Sequence, residues 1–121
     1  MPTPSPGALT VLIDDTRSFG DNRPCRVART SAQGVALLTS LRHSPIDELW
    51  LDHDLGGDDT IWPVIRLLEH ASLGGQPLDV GMVHVQATRS GPAHRMLISL
   101  HRTGYRATRS SDLRMWTTVR T

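Results

Sequence analysis

The sequence predicts an α/β fold, a doubly wound parallel sheet with helices on both faces. Three observations carry this. Two short apolar-rich runs, Leu9-Thr10-Val11-Leu12-Ile13 and Glu48-Leu49-Trp50-Leu51, stop abruptly at carboxylates, Asp14-Asp15 and Asp52-His53-Asp54. Such runs read as buried parallel strands that deliver acids to a sheet edge. Strand-like and helix-like segments alternate along the chain, as βα units do. The 121 residues suffice for one ordinary core, and no internal repeat or linker divides them.

Residues 1–8 are expected to be a flexible tail. They are rich in proline and have neither the basic nor the apolar stretch of a signal peptide. Residues 9–121 are expected to form a single domain. Its first strand spans about 9–14, and Thr16 to Pro24, with Gly20, Asp21, Asn22 and Pro24, reads as a loop. Cys25 to Arg29 is a short second strand. Ser31 then caps a helix over about 32–43, whose stripe is Val35, Leu37, Leu38 and Leu41. Pro45 ends it, and 47–52 is the third strand.

Asp58 or Asp59 caps the next helix, over about 60–71, where Ile61, Val64, Ile65 and Leu68 recur at helical spacing. Pro63 falls in its first turn, where a missing N–H is tolerated. Gly74-Gly75-Gln76-Pro77 is a turn, and Val80 to Val85 is the fourth strand. Pro92 starts a helix to about 102 that buries Met96, Leu97 and Leu100, with Gly104 as its cap. Tyr105 to Thr108 is the fifth strand, and Asp112 to Val119 a last helix.

Composition narrows the function. A single cysteine, Cys25, excludes an internal disulfide framework and a multi-cysteine metal site. No apolar run approaches the roughly 20 residues that span a bilayer, so a cytoplasmic protein with no membrane partner is expected. Residues 1–80 carry six Arg against eleven Asp and Glu, a balance of −5; residues 81–121 carry seven Arg against Asp112 alone, a balance of +6. The two halves either neutralise each other in surface ion pairs or form an acidic wall facing an anion-binding wall. The basic part lacks interleaved aromatics, so an extended nucleic-acid surface is not expected.

Acids after strands one and three resemble those of a response-regulator receiver domain, which hold Mg²⁺ and accept a phosphoryl group. A phosphoacceptor receiver needs a lysine after strand five, and this chain has none; Arg109 is the nearest substitute. The chain more closely resembles the cyclic-phosphate-processing receiver domains over about 9–108. The likeness rests on Asp14-Asp15-Thr16-Arg17, on Leu51-Asp52-His53-Asp54-Leu55-Gly56 and on Val83-His84. It departs after His84, where Val85-Gln86-Ala87-Thr88-Arg89-Ser90 stands in place of a Ser and an Asn-Pro. The resemblance implies a receiver-like (flavodoxin-like) sheet in the order 2-1-3-4-5 and the handling of cyclic phosphates.

Asp14, Asp15, Asp52 and Asp54 are the candidate metal ligands, since hard oxygen donors suit Mg²⁺ or Mn²⁺, while nearby histidines would admit Zn²⁺. The alternative for each is a helix or turn cap. Asp52, His53 and His84 are the candidate catalytic residues. Either imidazole would serve as acid or base near neutral pH, or else be a core histidine satisfied by a neighbour. Arg17 and Arg89 are the candidate phosphate-binding residues. The substrate expected is a small phosphorylated ligand, such as a cyclic nucleotide or an RNA end bearing a cyclic phosphate. The alternative is a non-catalytic receiver-like binding or regulatory module, homodimeric through the strand-four and strand-five face.

Overall fold

A computed structural model describes residues 9–21, 23–111 and 115–117; the tail expected at 1–8 lies outside them. In chain order the elements are β1 (Thr10–Ile13), β2 (Arg17–Phe19), β3 (Cys25–Ala28), α1 (Ser31–Ser40), β4 (Ile46–Asp52), α2 (Trp62–Leu73), β5 (Val80–Gln86), α3 (Ser90–Arg102), β6 (Ala107–Arg109) and β7 (Met115–Thr117). Five strands form a parallel sheet in the order β3-β1-β4-β5-β6, which is 2-1-3-4-5 by position. None of the described helices is long and apolar enough to cross a membrane.

Alternation along the strands gives the sheet two unlike faces. Val11, Ile13, Leu49, Leu51, Val83 and Val85 pack against Leu38 of α1, Val64, Ile65 and Leu68 of α2, and Ala93, Met96 and Leu100 of α3. Burying each large aliphatic side chain here contributes about 1.5–3 kcal/mol relative to leaving it exposed. The opposite face buries Leu12 and Trp50 beneath Phe19 of β2, with Cys25 and Met115 packed alongside. Phe19 meets Trp50 edge to face, with ring centroids 5.3 Å apart.

Helices were expected on both faces; among the described residues they cover one. Crossover handedness explains it. The connections from β3 to β4, β4 to β5 and β5 to β6 step the same way along the sheet, so right-handed crossovers put their helices together. The connection from β1 to β3 steps the other way and is sent across the opposite face. It contains a strand, so the loop expected over Thr16 to Pro24 is corrected at Arg17–Phe19. That strand pairs antiparallel with β7, Ser18 opposite Trp116 and Phe19 opposite Met115. The helix expected over Asp112 to Val119 is therefore a strand at Met115–Thr117, its remaining residues lying outside the described ones. Trp116 is 49% exposed.

Two caps also differ from expectation. Thr30, not Ser31, caps α1, its side chain accepting the Gln33 N–H. Ser31 instead gives its backbone N–H and its hydroxyl to Asp59, holding that carboxyl below its usual range. Thus Asp59 ties the β4–α2 loop to α1, and α2 starts after Ile61 with no side-chain cap.

Helix α1 lies close to the sheet because Gly34 lacks a side chain. A Cβ there would stand 2.9 Å from Ile13 Cδ1 and 3.0 Å from Val64 Cγ2. Gly34→Val is therefore expected to overpack this contact and lower unfolding free energy by about 1–3 kcal/mol, measured by urea denaturation. An unchanged midpoint would show that the interface yields freely.

Candidate active site

At the end of β1, Asp14 is fully buried. Its Oδ1 accepts the N–H groups of Thr16 (3.0 Å) and Arg17 (2.8 Å), closing the turn into β2. Its Oδ2 accepts Arg17 Nε at 2.9 Å, so a buried charge has a fixed counter-charge. Arg29, just past β3, braces the same turn, donating to the carbonyls of Asp14 and Arg17 and to Ser18 Oγ.

The sheet brings the second acid alongside. Ile13 pairs with Leu51, so Asp14 and Asp52 leave neighbouring strands together. Carboxylate oxygens of Asp14, Asp15 and Asp52 lie within 4.8 Å of one another. Burial, and then the negative charge of Asp14, push the Asp52 carboxyl up to about 7, with Asp15 adding to the rise. Arg17 and the Asp54 backbone N–H oppose it. Arg17 reaches across to the site's other strand, donating from Nη2 to Gln86 Oε1 at 2.8 Å and standing 3.9 Å from Asp52 Oδ1. The three clustered oxygens match a hard divalent ion, which would relieve the repulsion that one arginine leaves.

Asp54 stands outside the trio. It is exposed, its Oδ1 accepts the Gly56 N–H, and it bridges to Thr60 across the loop. Gly56 adopts φ +91° with its Cβ position 3.1 Å from Asp15 Oδ2. Any other residue would be strained there and would press on Asp15.

His53 is pinned through its backbone: its N–H donates to Gln86 O (2.9 Å) and its carbonyl accepts the Ile61 N–H (3.0 Å). Its ring meets Trp62 edge-on at 6.5 Å. A cavity of about 940 Å³ opens above the sheet edge, bounded by Asp15, Arg17, Asp52 and His53 on one side and by Arg89, Arg109 and Ser110 on the other. The charge asymmetry of the sequence therefore has a spatial counterpart at this cleft.

His84 does not join His53 there. It pairs in register with Trp50, two residues below the Asp52–Gln86 pair, about 7 Å down the strand. Its ring stacks on Trp50 with centroids 4.0 Å apart and planes 9° from parallel. Nδ1 lies 2.8 Å from Ser110 Oγ, and Nε2 lies 3.4 Å from Glu48 Oε1. Of the two histidines expected at one cleft, His53 borders it and His84 lies below its edge.

Gln86, in the stretch that replaces the family's Ser and Asn-Pro, is buried and holds Arg17. Two residues of this region were not singled out in the sequence. Arg29 needs its tertiary partners to be noticed at all. Ser110 borders the cleft just past β6; the expected fifth strand ended at Thr108, which kept it from view. Arg109, considered in place of a lysine, donates its Nη2 to Ala87 O at 2.9 Å and so secures the loop after β5.

Comparison with curated proteins and with solved structures gives no match. A family model for the cyclic-phosphate processing receiver domain matches residues 9–102.

Proposed function

The chain belongs to the cyclic-phosphate processing receiver domain family, and on that premise we propose that it is a divalent-metal-dependent phosphoesterase that opens a cyclic phosphate or cleaves a small phosphodiester. The observation that carries this is the convergence of Asp14, Asp15 and Asp52 at one edge of a cleft whose far side bears Arg89. Three clustered carboxylates with one arginine beside two of them would still repel a phosphate, so the arrangement makes chemical sense with a cation between acid and substrate. Mg²⁺ or Mn²⁺ held by the trio would supply Lewis acidity at a phosphoryl oxygen.

The chain's own groups divide the remaining work. Arg17 is committed to Asp14 and Gln86, so it orders the acids and shares in neutralising a nearby phosphate. Arg89, exposed on the opposite side, takes up phosphate charge. His53 gives a proton to the alkoxide that leaves when the ester bond breaks. The phosphoacceptor reading is disfavoured because the chain has no lysine, and the planar guanidinium of Arg109, tied by one donor to Ala87 O, is not equivalent to a compact ammonium.

Assay of 2′,3′-cyclic, 3′,5′-cyclic and linear nucleotide phosphates with Mg²⁺, Mn²⁺ and Zn²⁺ tests the proposal. Ring opening of at least one cyclic substrate, abolished by chelation, is expected. No turnover of any substrate with any ion would favour a non-catalytic binding module instead.

A further inference from the structure

Ser110, His84 and Glu48 form a second constellation outside the acid trio. Ser110 borders the cavity. Its backbone N–H donates to Val85 O at 3.1 Å, so its position past β6 is fixed by the sheet. Its hydroxyl meets His84 Nδ1 at 2.8 Å. Beyond the ring, Glu48 Oε1 stands 3.4 Å from Nε2 and also accepts the Trp50 indole N–H at 3.3 Å. The stack on Trp50 holds the imidazole plane.

A carboxylate facing Nε2 favours the tautomer with hydrogen on that nitrogen. Nδ1 is then an acceptor, and the Ser110 hydroxyl is its donor. A hydroxyl joined to a base, with that base oriented by a third group, is the geometry of an activated nucleophile. The same groups could simply satisfy one another as a structural network, and that alternative has a different experimental signature. Ser110 lines the cleft while its hydroxyl meets His84, so an electrophile placed in the cleft separates the two.

We propose that Ser110 is the nucleophile toward phosphorus and that His84 is its general base. This rests on the phosphoesterase reading above and adds the attacking atom to it. Ser110 Oγ forms a bond to phosphorus as its proton passes to His84 Nδ1. The ring P–O bond breaks, and the leaving oxygen takes a proton from His53. The product of this step is a phosphodiester on Ser110 with the ring opened. Water then attacks the same phosphorus, losing its proton to His53, which is thereby restored; the P–Oγ bond breaks and Ser110 Oγ recovers the proton held on His84. A phosphomonoester departs.

A neutral fluorophosphonate tests this without a cyclic substrate, since the uncharged probe is not repelled by the acids. Ser110 Oγ displaces fluoride, and the intact mass should rise by the probe less HF, at Ser110 on peptide mapping. Ser110→Ala should abolish labelling. His84→Ala should slow it by roughly 10²–10⁴-fold, and added imidazole should restore part of the rate, which a merely structural histidine would not allow. His84→Gln serves as a second variant should the alanine unfold the face around Trp50. No labelling of the wild type, or labelling indifferent to both His84 variants, overturns the proposal. The two readings fail separately. Labelling without any cyclic-phosphate turnover retains the nucleophile and removes the substrate; full turnover by Ser110→Ala removes the nucleophile and leaves the phosphoesterase.

Discussion

His53→Ala is expected to lower cyclic-phosphate turnover by roughly 10²–10⁴-fold, the usual contribution of a positioned acid or base. The loss should fall on kcat, because proton donation to a leaving oxygen matters only as the bond breaks. The fold should survive the change. The loop is held by the His53 backbone, through Gln86 O and the Ile61 N–H, while the ring makes an edge-on contact with Trp62. Steady-state kinetics beside circular dichroism would check both halves. Undiminished turnover in a folded variant would take His53 out of the chemistry.

Asp52 makes the second large prediction, through pH. Burial and the Asp14 charge raise its carboxyl from 3.8 to about 7. The folded protein therefore binds more protons than the unfolded chain between those values, and stability falls as pH rises across them. This contribution is fully present below about 4 and lost above about 7, a change on the order of 2–4 kcal/mol in metal-free protein. Asp52→Asn, which mimics the protonated acid, should thus be more stable than wild type at pH 8 without metal.

Metal binding should run in the opposite sense. Below pH 7 an ion must displace the Asp52 proton, so apparent affinity should rise about tenfold per pH unit toward 7 and then level. Asp52→Asn should bind at least tenfold more weakly, with a flatter pH dependence. Calorimetry across pH checks each slope. Equal affinity in wild type and variant would mean that Asp52 is not a ligand.

The strands were legible because each advertises itself locally: an apolar run cut off by Asp14 or Asp52 needs no partner to be recognised. Their order followed from the family likeness and from the handedness of βα connections. Strands β2 and β7 were not legible, since Arg17–Phe19 acquires its strand character by pairing with Met115–Thr117, nearly the whole chain away. The same distance hid the roof over Trp50 and made a helix seem necessary there.

The site divides in a similar way. Asp14, Asp15 and Asp52 could be grouped from sequence because parallel register brings strand ends together. His84 could not be placed, because alternation alone does not say how far below the edge a side chain sits. Its register opposite Trp50 removes it from the acids and gives it Ser110 and Glu48 as partners. Asp54 follows Asp52 so closely that sequence does not separate it from the ligands; the chain bends at His53, and the Asp54 carboxylate closes the loop at Gly56 instead.

The central claim is that an acid trio with a bound divalent ion serves cyclic-phosphate chemistry, and phosphorus NMR tests it most directly. Wild type and Asp52→Asn would each be incubated with a 2′,3′-cyclic nucleotide in Mg²⁺ or Mn²⁺, and again after chelation. The account predicts that the cyclic-phosphate resonance gives way to a phosphomonoester resonance only for wild type with metal. A cyclic resonance unchanged in every sample, or one lost equally from chelated wild type and from Asp52→Asn, would contradict it.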